Sequence, residues 1–162
     1  MSTKLGARQK HALSVEVLDE HETFQRPLAD AISAAFSLVL DPIDPRGLEH
    51  VRTVWRFIEC EALPHMAQEE QGVFPHAHHA GVPGEVVHAL AREHHALRTL
   101  AEELRDRGFG GRARPDDEGA LMALRFLQSF DAHVQREEAI FALYDATDRV
   151  RSRWSRARTR MC

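Results

Sequence analysis

One pattern occurs twice along this chain. The first half carries Asp19-Glu20-His21, then His65-Met66-Ala67-Gln68-Glu69-Glu70, then Val73-Phe74-Pro75. The second half carries Arg92-Glu93-His94, then His133-Val134-Gln135-Arg136-Glu137-Glu138, then Ile140-Phe141. Each half is a lone histidine followed by a His-x-x-x-Glu pair. On a helix, residues four apart share a face, about one turn and ~6 Å from each other. Each pair can therefore aim an imidazole and a carboxylate at one point. Four helices could bring four imidazoles and two carboxylates together, which is the ligand set of a paired transition-metal site.

Apolar periodicity supplies the four helices. The first is expected over about 10–39, with Leu13, Val17, Leu18, Phe24, Leu28, Ile32, Phe36 and Val39 on its apolar positions. The second, over about 46–72, opens at Asp44-Pro45 as N-cap and first-turn proline. The third, over about 84–107, ends at Gly108, and the fourth, over about 116–146, opens at Pro115 and Asp116. Pro27 and Pro64 fall inside helical patterns, remove a backbone donor each and should kink their helices. No β-period alternation or hairpin signal competes.

Spacing then predicts the packing. In an up-down bundle, residues at one height are equidistant from the loop joining their helices. The midpoint of His21 and His65 is residue 43, inside Asp41-Pro-Ile-Asp-Pro45. The midpoint of Glu69 and His94 falls at 81–82, inside Ala80-Gly-Val-Pro-Gly84, and that of His94 and His133 at 113–114, inside Gly110-Gly-Arg-Ala-Arg-Pro115. All three land in the strongest breaker clusters of the chain. The expected fold is all-α, an up-down-up-down antiparallel four-helix bundle, with the six side chains at one level.

Composition narrows the setting. A length of 162 residues suits one domain with a real core. We take residues 1–148 as the bundle and 149–162 as a basic, flexible C-terminal tail. That tail carries six arginines and no acid; subtracting these from the net charge of −4 leaves the body at −10. Bulk charge thus argues against nucleic acid as a partner, except through the tail, where Trp154 could stack; a frayed, solvated end is the simpler expectation. Residues 28–40, interrupted by Asp30, are too short for a membrane span. The polar start, Met1 to Lys10, shows no secretion signal. Two cysteines, Cys60 and Cys162, make no disulfide framework and suit a reducing cytoplasm. Cys60 reads as a small core residue rather than a ligand.

A lone histidine on a helix face is ordinarily a hydrogen-bonded core or surface residue, and a single His-x-x-x-Glu is ordinarily a helix pair. Two such pairs, with two further histidines at matching height, single out a metal site among the eleven histidines. His95 points about 100° away from His94 around the helix. His76, His78 and His79 are expected in the loop between helices 2 and 3. Glu70 and Glu138 read as acceptors for ligand imidazoles or as solvated acids. Tyr144 reads as a phenol near the site or a bundle-end packing residue, and Phe74 and Phe141 as walls against water. No phosphate loop, Cys-x-x-Cys or nucleophile elbow is present.

The quoted residues resemble those of a hemerythrin-like (HHE cation-binding) domain. The likeness rests on Glu20-His21, His65-x-x-x-Glu69-Glu70-x-x-Val-Phe-Pro75, Glu93-His94 and His133-x-x-x-Glu137-Glu138-x-x-Ile-Phe141, spanning about residues 12–146. The resemblance implies an oxo- or hydroxo-bridged di-iron centre, hence two Fe ions. By it, His21, His65, His94 and His133 are terminal ligands and Glu69 and Glu137 bridging carboxylates. Carboxylate bridges offset the charge of two close cations.

One departure stands out. Oxygen-carrying members have His-x-x-x-His on the third helix, but the position four after His94 is Arg98. Either one iron keeps an extra open position or another side chain fills it. His50 and His88 fit the common level poorly, while Glu61, Glu70 and Glu138 lie closer to it. An open position favours reaction with dioxygen, peroxide or nitric oxide over reversible carriage. The leading expectation is a non-heme di-iron protein handling a small diatomic or peroxide ligand in oxygen or redox stress, with peroxide- or oxygen-reactive oxidoreductase activity as one form. The rivals are an iron- or oxygen-responsive sensor using the basic tail, an iron-sulfur repair protein, and a bundle holding zinc or a single metal.

Overall fold

The computed structural model describes residues 12–41, 43–110 and 115–159, with side chains described from 17 to 145 apart from 19 and 20. The described backbone is helical and contains no strand. Helix α1 is Ala12–Leu40. Helix α2 runs from Gly47 to His79 as five abutting stretches: Gly47–Phe57, a π turn Ile58–Ala62, Leu63–Gln68, a second π turn Glu69–Val73, and Phe74–His79. Helix α3 is Gly84–Asp106 and helix α4 is Asp117–Thr159. α1 packs against α4 and the first stretch of α2, α3 packs against α4, and the last stretch of α2 meets α3.

The two π turns explain how α2 absorbs its prolines. Leu63 N–H donates to Ile58 O, and Phe74 N–H donates to Glu69 O, each reaching five residues back. Pro64 and Pro75 follow directly. A proline in regular helix removes a donor and presses on the carbonyl four residues earlier; a widened turn relieves both. The disturbance expected at Pro64 therefore takes the form of a π turn. Pro75 then sits in the first turn of a new stretch, where a missing N–H is harmless. That is why α2 continues to His79 instead of stopping near 72, and why His76, His78 and His79 lie on helix rather than in a loop. His79 uses its position by donating from Nδ1 to Pro75 O at 2.6 Å, satisfying a last-turn carbonyl.

Two helix ends share one device. Gly81 (φ +101°) and Gly108 (φ +93°) take the left-handed conformation that side chains resist. Val82 N–H reaches back to Ala77 O and Phe109 N–H to Leu104 O, both at 3.0–3.1 Å. Each is a Schellman motif whose flanking pair, Val82 with Ala77 and Phe109 with Leu104, is buried. At the start of α4, Asp116 Oδ1 accepts from Gly119 N–H at 2.8 Å, the N-cap expected there. Asp44 differs from expectation. Its Oδ1 accepts from Arg46 N–H at 2.8 Å, closing an Asx-type turn, and the helix itself begins only at Gly47. The Arg46 backbone donor and the His50 ring together hold the Asp44 carboxyl down at about 2.

The core falls into two unequal parts. The larger includes Phe24, Leu28, Phe57, Ile58, Met66, Leu97, Leu104, Phe126 and Phe130. The smaller is Val17, Ala77, Val82 and Phe141, with Val73, Val86, Val87 and Tyr144 packed against it. On α1, Ala31, Ala34, Ala35 and Leu38 are buried while Leu18 and Phe36 are more than 40% exposed, so the buried stripe departs from the one read in sequence. Leu13 lies outside the described side chains. Cys60 is exposed on the first π turn, not in the core. α4 continues past 146 to Thr159, so most of the arginine-rich stretch has helical backbone; its side chains and residues 160–162 lie outside the described ones. Among the described residues no helix is long and apolar enough to cross a membrane.

Candidate metal centre

Between the two apolar clusters lies a layer of buried polar side chains. α1 supplies His21, α2 supplies His65 and Glu69, α3 supplies His94, and α4 supplies His133 and Glu137. His21, Glu69, His94 and Glu137 are 0% exposed. These are the six residues singled out in sequence, and they converge. Within α2, His65 and Glu69 straddle the junction between the short stretch Leu63–Gln68 and the second π turn, so the turn follows the pair without interrupting it. A π turn beside a cluster of functional side chains is a recurrent placement.

The donors form two groups joined by Glu69. One group is His21, His65, Glu69 and Glu137; the other is Glu69, His94 and His133. Glu69 Oε1 lies 3.2 Å from His65 Nε2 and 3.7 Å from His21 Nε2, while Oε2 lies 3.2 Å from His94 Nε2. Glu137 Oε2 lies 3.6 Å from His21 Nε2 and 3.9 Å from His133 Nε2. Each carboxylate thus faces imidazoles of both groups.

A second tier of carboxylates holds the rings from outside. His21 Nδ1 donates to Glu138 Oε1 at 3.0 Å, His94 Nδ1 to Glu70 Oε1 at 3.0 Å, and His133 Nδ1 to Glu93 Oε2 at 2.9 Å. Each outer carboxylate is about one-third exposed. Arg98 donates to Glu70 Oε1 at 2.7 Å, and Arg136 pairs with Glu93 Oε1. A ring that donates from Nδ1 presents a lone pair at Nε2, the form a metal needs. Burial also pushes the His133 imidazole below its ordinary value, with the neighbouring His94 acting in the same direction against Glu93, which favours that neutral form.

These constraints leave the centre electrostatically incomplete. His94 Nε2 and His133 Nε2 stand 2.8 Å apart, each ring with its proton committed outward. Two facing lone pairs at that distance require a cation or a shared proton between them. His21 Nε2 and both oxygens of Glu69 are buried without a well-formed hydrogen bond. Burial works to raise the Glu69 carboxyl; the hydrogen bonds from His21 and His94 that would hold it below the usual carboxylate range need a proton on each inner nitrogen, the place a cation would otherwise take. Two carboxylates buried this deeply are costly unless a positive charge joins them. Donors bound to one ion at about 2.0–2.2 Å sit about 3 Å from each other, which is near the spacing seen here. The six residues fit a metal group.

Aromatic rings close the layer. Phe74 stacks on His94 with centroids 5.0 Å apart, and Phe24 and Phe130 meet the His65 ring at 4.9 and 5.9 Å. Phe141 is buried in the smaller apolar cluster, and Tyr144 packs there as a bundle-end residue.

The remaining candidates separate cleanly. Glu70 and Glu138 serve outer nitrogens, so neither occupies the place left by a third-helix histidine. Glu61 is exposed and lines a surface recess with Arg26, Asp30 and Arg56. His50 pairs with Asp44 at 3.1 Å near the start of α2. His88 and His95 are exposed. Sequence reasoning missed Glu93 as the partner of His133 and both arginine pairings. The Glu-His dipeptide at 93–94 was a usable signal, but its glutamate serves the histidine of a different helix.

A family model described as the hemerythrin HHE cation binding domain matches residues 13–144. No curated protein and no solved structure gives a match. A family match of that extent, over a donor set suited to cations, means that the chain belongs to the hemerythrin HHE cation-binding family.

Proposed function

We propose that this protein holds two iron ions in an antiparallel up-down-up-down bundle and uses them on a small ligand such as dioxygen, peroxide or nitric oxide. His21 and His65 would hold one ion, His94 and His133 the other, with Glu69 and Glu137 shared. The observation that carries this reading is Glu69, whose Oε1 faces His65 and His21 while its Oε2 faces His94. Iron supplies the redox chemistry when bound; nitrogen-rich ligation favours redox-active metals over magnesium or calcium.

The chain's own residues supply the rest. Outer carboxylates fix each ring's tautomer and direction. Phe24, Phe74 and Phe130 exclude water from the donors, and the low local dielectric strengthens every charge interaction there. Arg98 is engaged with Glu70, so it adds no donor where an oxygen carrier has its extra histidine. We therefore favour oxidation of the reduced centre over reversible oxygen carriage.

Metal analysis of purified protein should find about two irons per chain. Near-ultraviolet charge-transfer bands should identify a bridged diferric pair. Stopped-flow mixing of reduced protein with dioxygen, hydrogen peroxide and nitric oxide then ranks the ligands. Zinc alone, or a single ion per chain, would sink the di-iron reading; an oxygenated form that releases its ligand under vacuum would restore the carrier.

A further inference from the structure

The last three turns of α1 carry their apolar side chains on an unexpected side. The positions that face the core are mostly small: Ala31, Ala34 and Ala35 are buried, with Leu38. The larger neighbours turn away from it. Phe36 is 42% and Leu40 78% exposed, while Ile32 and Val39 are only partly covered. For a chain folding alone that order is backwards, because burying the large side chains would stabilise it more. Residues 31–40, between Asp30 and Asp41, hold no charged side chain. On α4, residues 119–124 hold none either, and Leu121 is 55% exposed.

These residues lie together. α1 packs along α4, and His21 meets Glu138. With the two helices antiparallel, as proposed above, seventeen residues up α1 from His21 and seventeen back along α4 from Glu138 bring Leu38 level with Leu121. Phe36, Leu40 and Leu121 therefore open at one end of one helix pair, and Ile43, 88% exposed, follows at the same end. Together they leave roughly 400–500 Å² of apolar surface uncovered, a patch of the size that marks an interaction surface.

We propose that this end of the α1/α4 face joins two copies of the chain about a two-fold axis. Shape favours a second copy over any other occupant. Ile32, Phe36 and Leu40 form a ridge of residues four apart, and Ala29, Ser33 and Ser37 form the low row beside it. The Ser37 hydroxyl donates to Ser33 O at 3.1 Å within its own helix, so it needs no polar group from a partner. A ridge with a groove beside it is self-complementary. A two-fold axis near Phe36 lays the ridge of each copy into the groove of the other, with the two α1 helices crossing at about −50°. Charge agrees. The body of the chain stands at −10, so two copies repel unless they meet where carboxylates are absent. This face meets that condition and keeps its acids, Asp30, Asp41 and Glu118, at its margins. The area agrees as well. A standard contact covers about 800 Å² per copy, about 65% of it apolar between identical subunits, and the open patch supplies most of that apolar share. Phe36 lies fifteen residues from His21, about 22 Å along α1, so the contact is separate from the polar layer.

The test is the mass of the purified full-length protein by sedimentation equilibrium over a concentration series, with metal content and circular dichroism measured alongside. Wild type should pass from 18.4 kDa toward twice that mass as concentration rises. Leu40→Glu, at a position too exposed to disturb the core, and Phe36→Glu should each weaken association by roughly 100-fold or more. Leu143→Glu, on a comparably exposed leucine at the other end of α4, should associate like wild type. Phe36→Glu and Phe36→Lys should each be monomers alone and regain the doubled mass when mixed, since the axis sets one against the other. If a Phe36 variant loses helix content, the Leu40→Glu and Leu40→Lys pair carries the same mixing test. Metal content should equal that of wild type throughout. A wild type that stays at 18.4 kDa up to about 1 mM, a dimer indifferent to the Leu40 and Phe36 variants, equal disruption by Leu143→Glu, or well-folded opposite-charge variants that stay monomeric when mixed would overturn the proposal.

Discussion

Glu69 and Glu137 do at the residue scale what no other described side chain does: each turns toward imidazoles on both sides of the layer. Glu69→Ala and Glu137→Ala should therefore lose iron, by metal analysis, and unfold at lower temperature when iron is offered. On the two-ion reading proposed above, the variants also remove the negative charge that would let two cations sit close. Full iron content in both variants would dismiss the shared-carboxylate assignment. These two residues and the four histidines were legible in sequence because helical spacing alone fixes which side chains share a face. The outer tier was only half legible. Glu70 and Glu138 could be picked out by adjacency, but Glu93 serving His133, and Arg98 turning to Glu70, depend on how neighbouring helices face each other. No local pattern encodes that.

The elements show the same division. The number of helices and the breaks near 41–46, 80–83 and 108–116 followed from apolar period and from Gly and Pro clusters, whereas the ends of α2 at His79 and of α4 at Thr159 did not; Gly81 and Gly108 end their helices through a backbone conformation that few other residues tolerate. The π turns were not legible, because one extra residue in a turn leaves the local composition unchanged. They do make a prediction about register. A π turn is an α-helix with one residue inserted, so deleting Gly72 should convert Glu69–Val73 to regular helix and keep both His65 and Glu69 in place. Deleting Ala67 instead breaks the His-x-x-x-Glu spacing. The first deletion should retain iron and helix content, and the second should lose iron; equal loss in both would mean that the turn has no such tolerance. The start of α2 offers a pH test. The Asp44 carboxyl is lowered from 3.8 to about 2, chiefly by the Arg46 backbone donor and then by His50. Protons then bind the unfolded chain more readily than the folded one, so the Asp44 contribution is complete above 3.8 and fades as pH falls toward 2. The stability gap between wild type and Asp44→Ala, measured by denaturant unfolding, should narrow over that window; a constant gap would assign the effect to packing.

For the whole molecule, the ligand-bearing part ends well before the arginine-rich end of α4. Removing residues 149–162 should leave iron content unchanged, and helical signal should fall only by the residues removed, since the backbone is helical to Thr159. A loss of iron on truncation would show that the end of α4 supports the layer after all. If full-length protein binds acidic polymers in a salt-sensitive way, truncation should abolish it; finding no such binding leaves the basic stretch as a solvated extension.

The unequal division of the core carries a consequence for turnover. On one side of the polar layer is a large cluster built around Phe126 and Phe130; on the other are only Val17, Ala77, Val82, Phe141 and their partly buried neighbours. The small end has little of its own to hold it and depends on the layer beneath it. With cations in place, the layer ties four helices together at that level. Without them, it is a sheet of buried charge and facing lone pairs, and the small end should open first. The segment 73–90, which includes the Ala80–Pro83 connection, then becomes the place where a protease finds extended chain. Limited proteolysis should cut there early in metal-free protein and late in iron-loaded protein, with the large end surviving as a resistant fragment. Such a protein would couple its resistance to proteolysis to whether the polar layer holds cations.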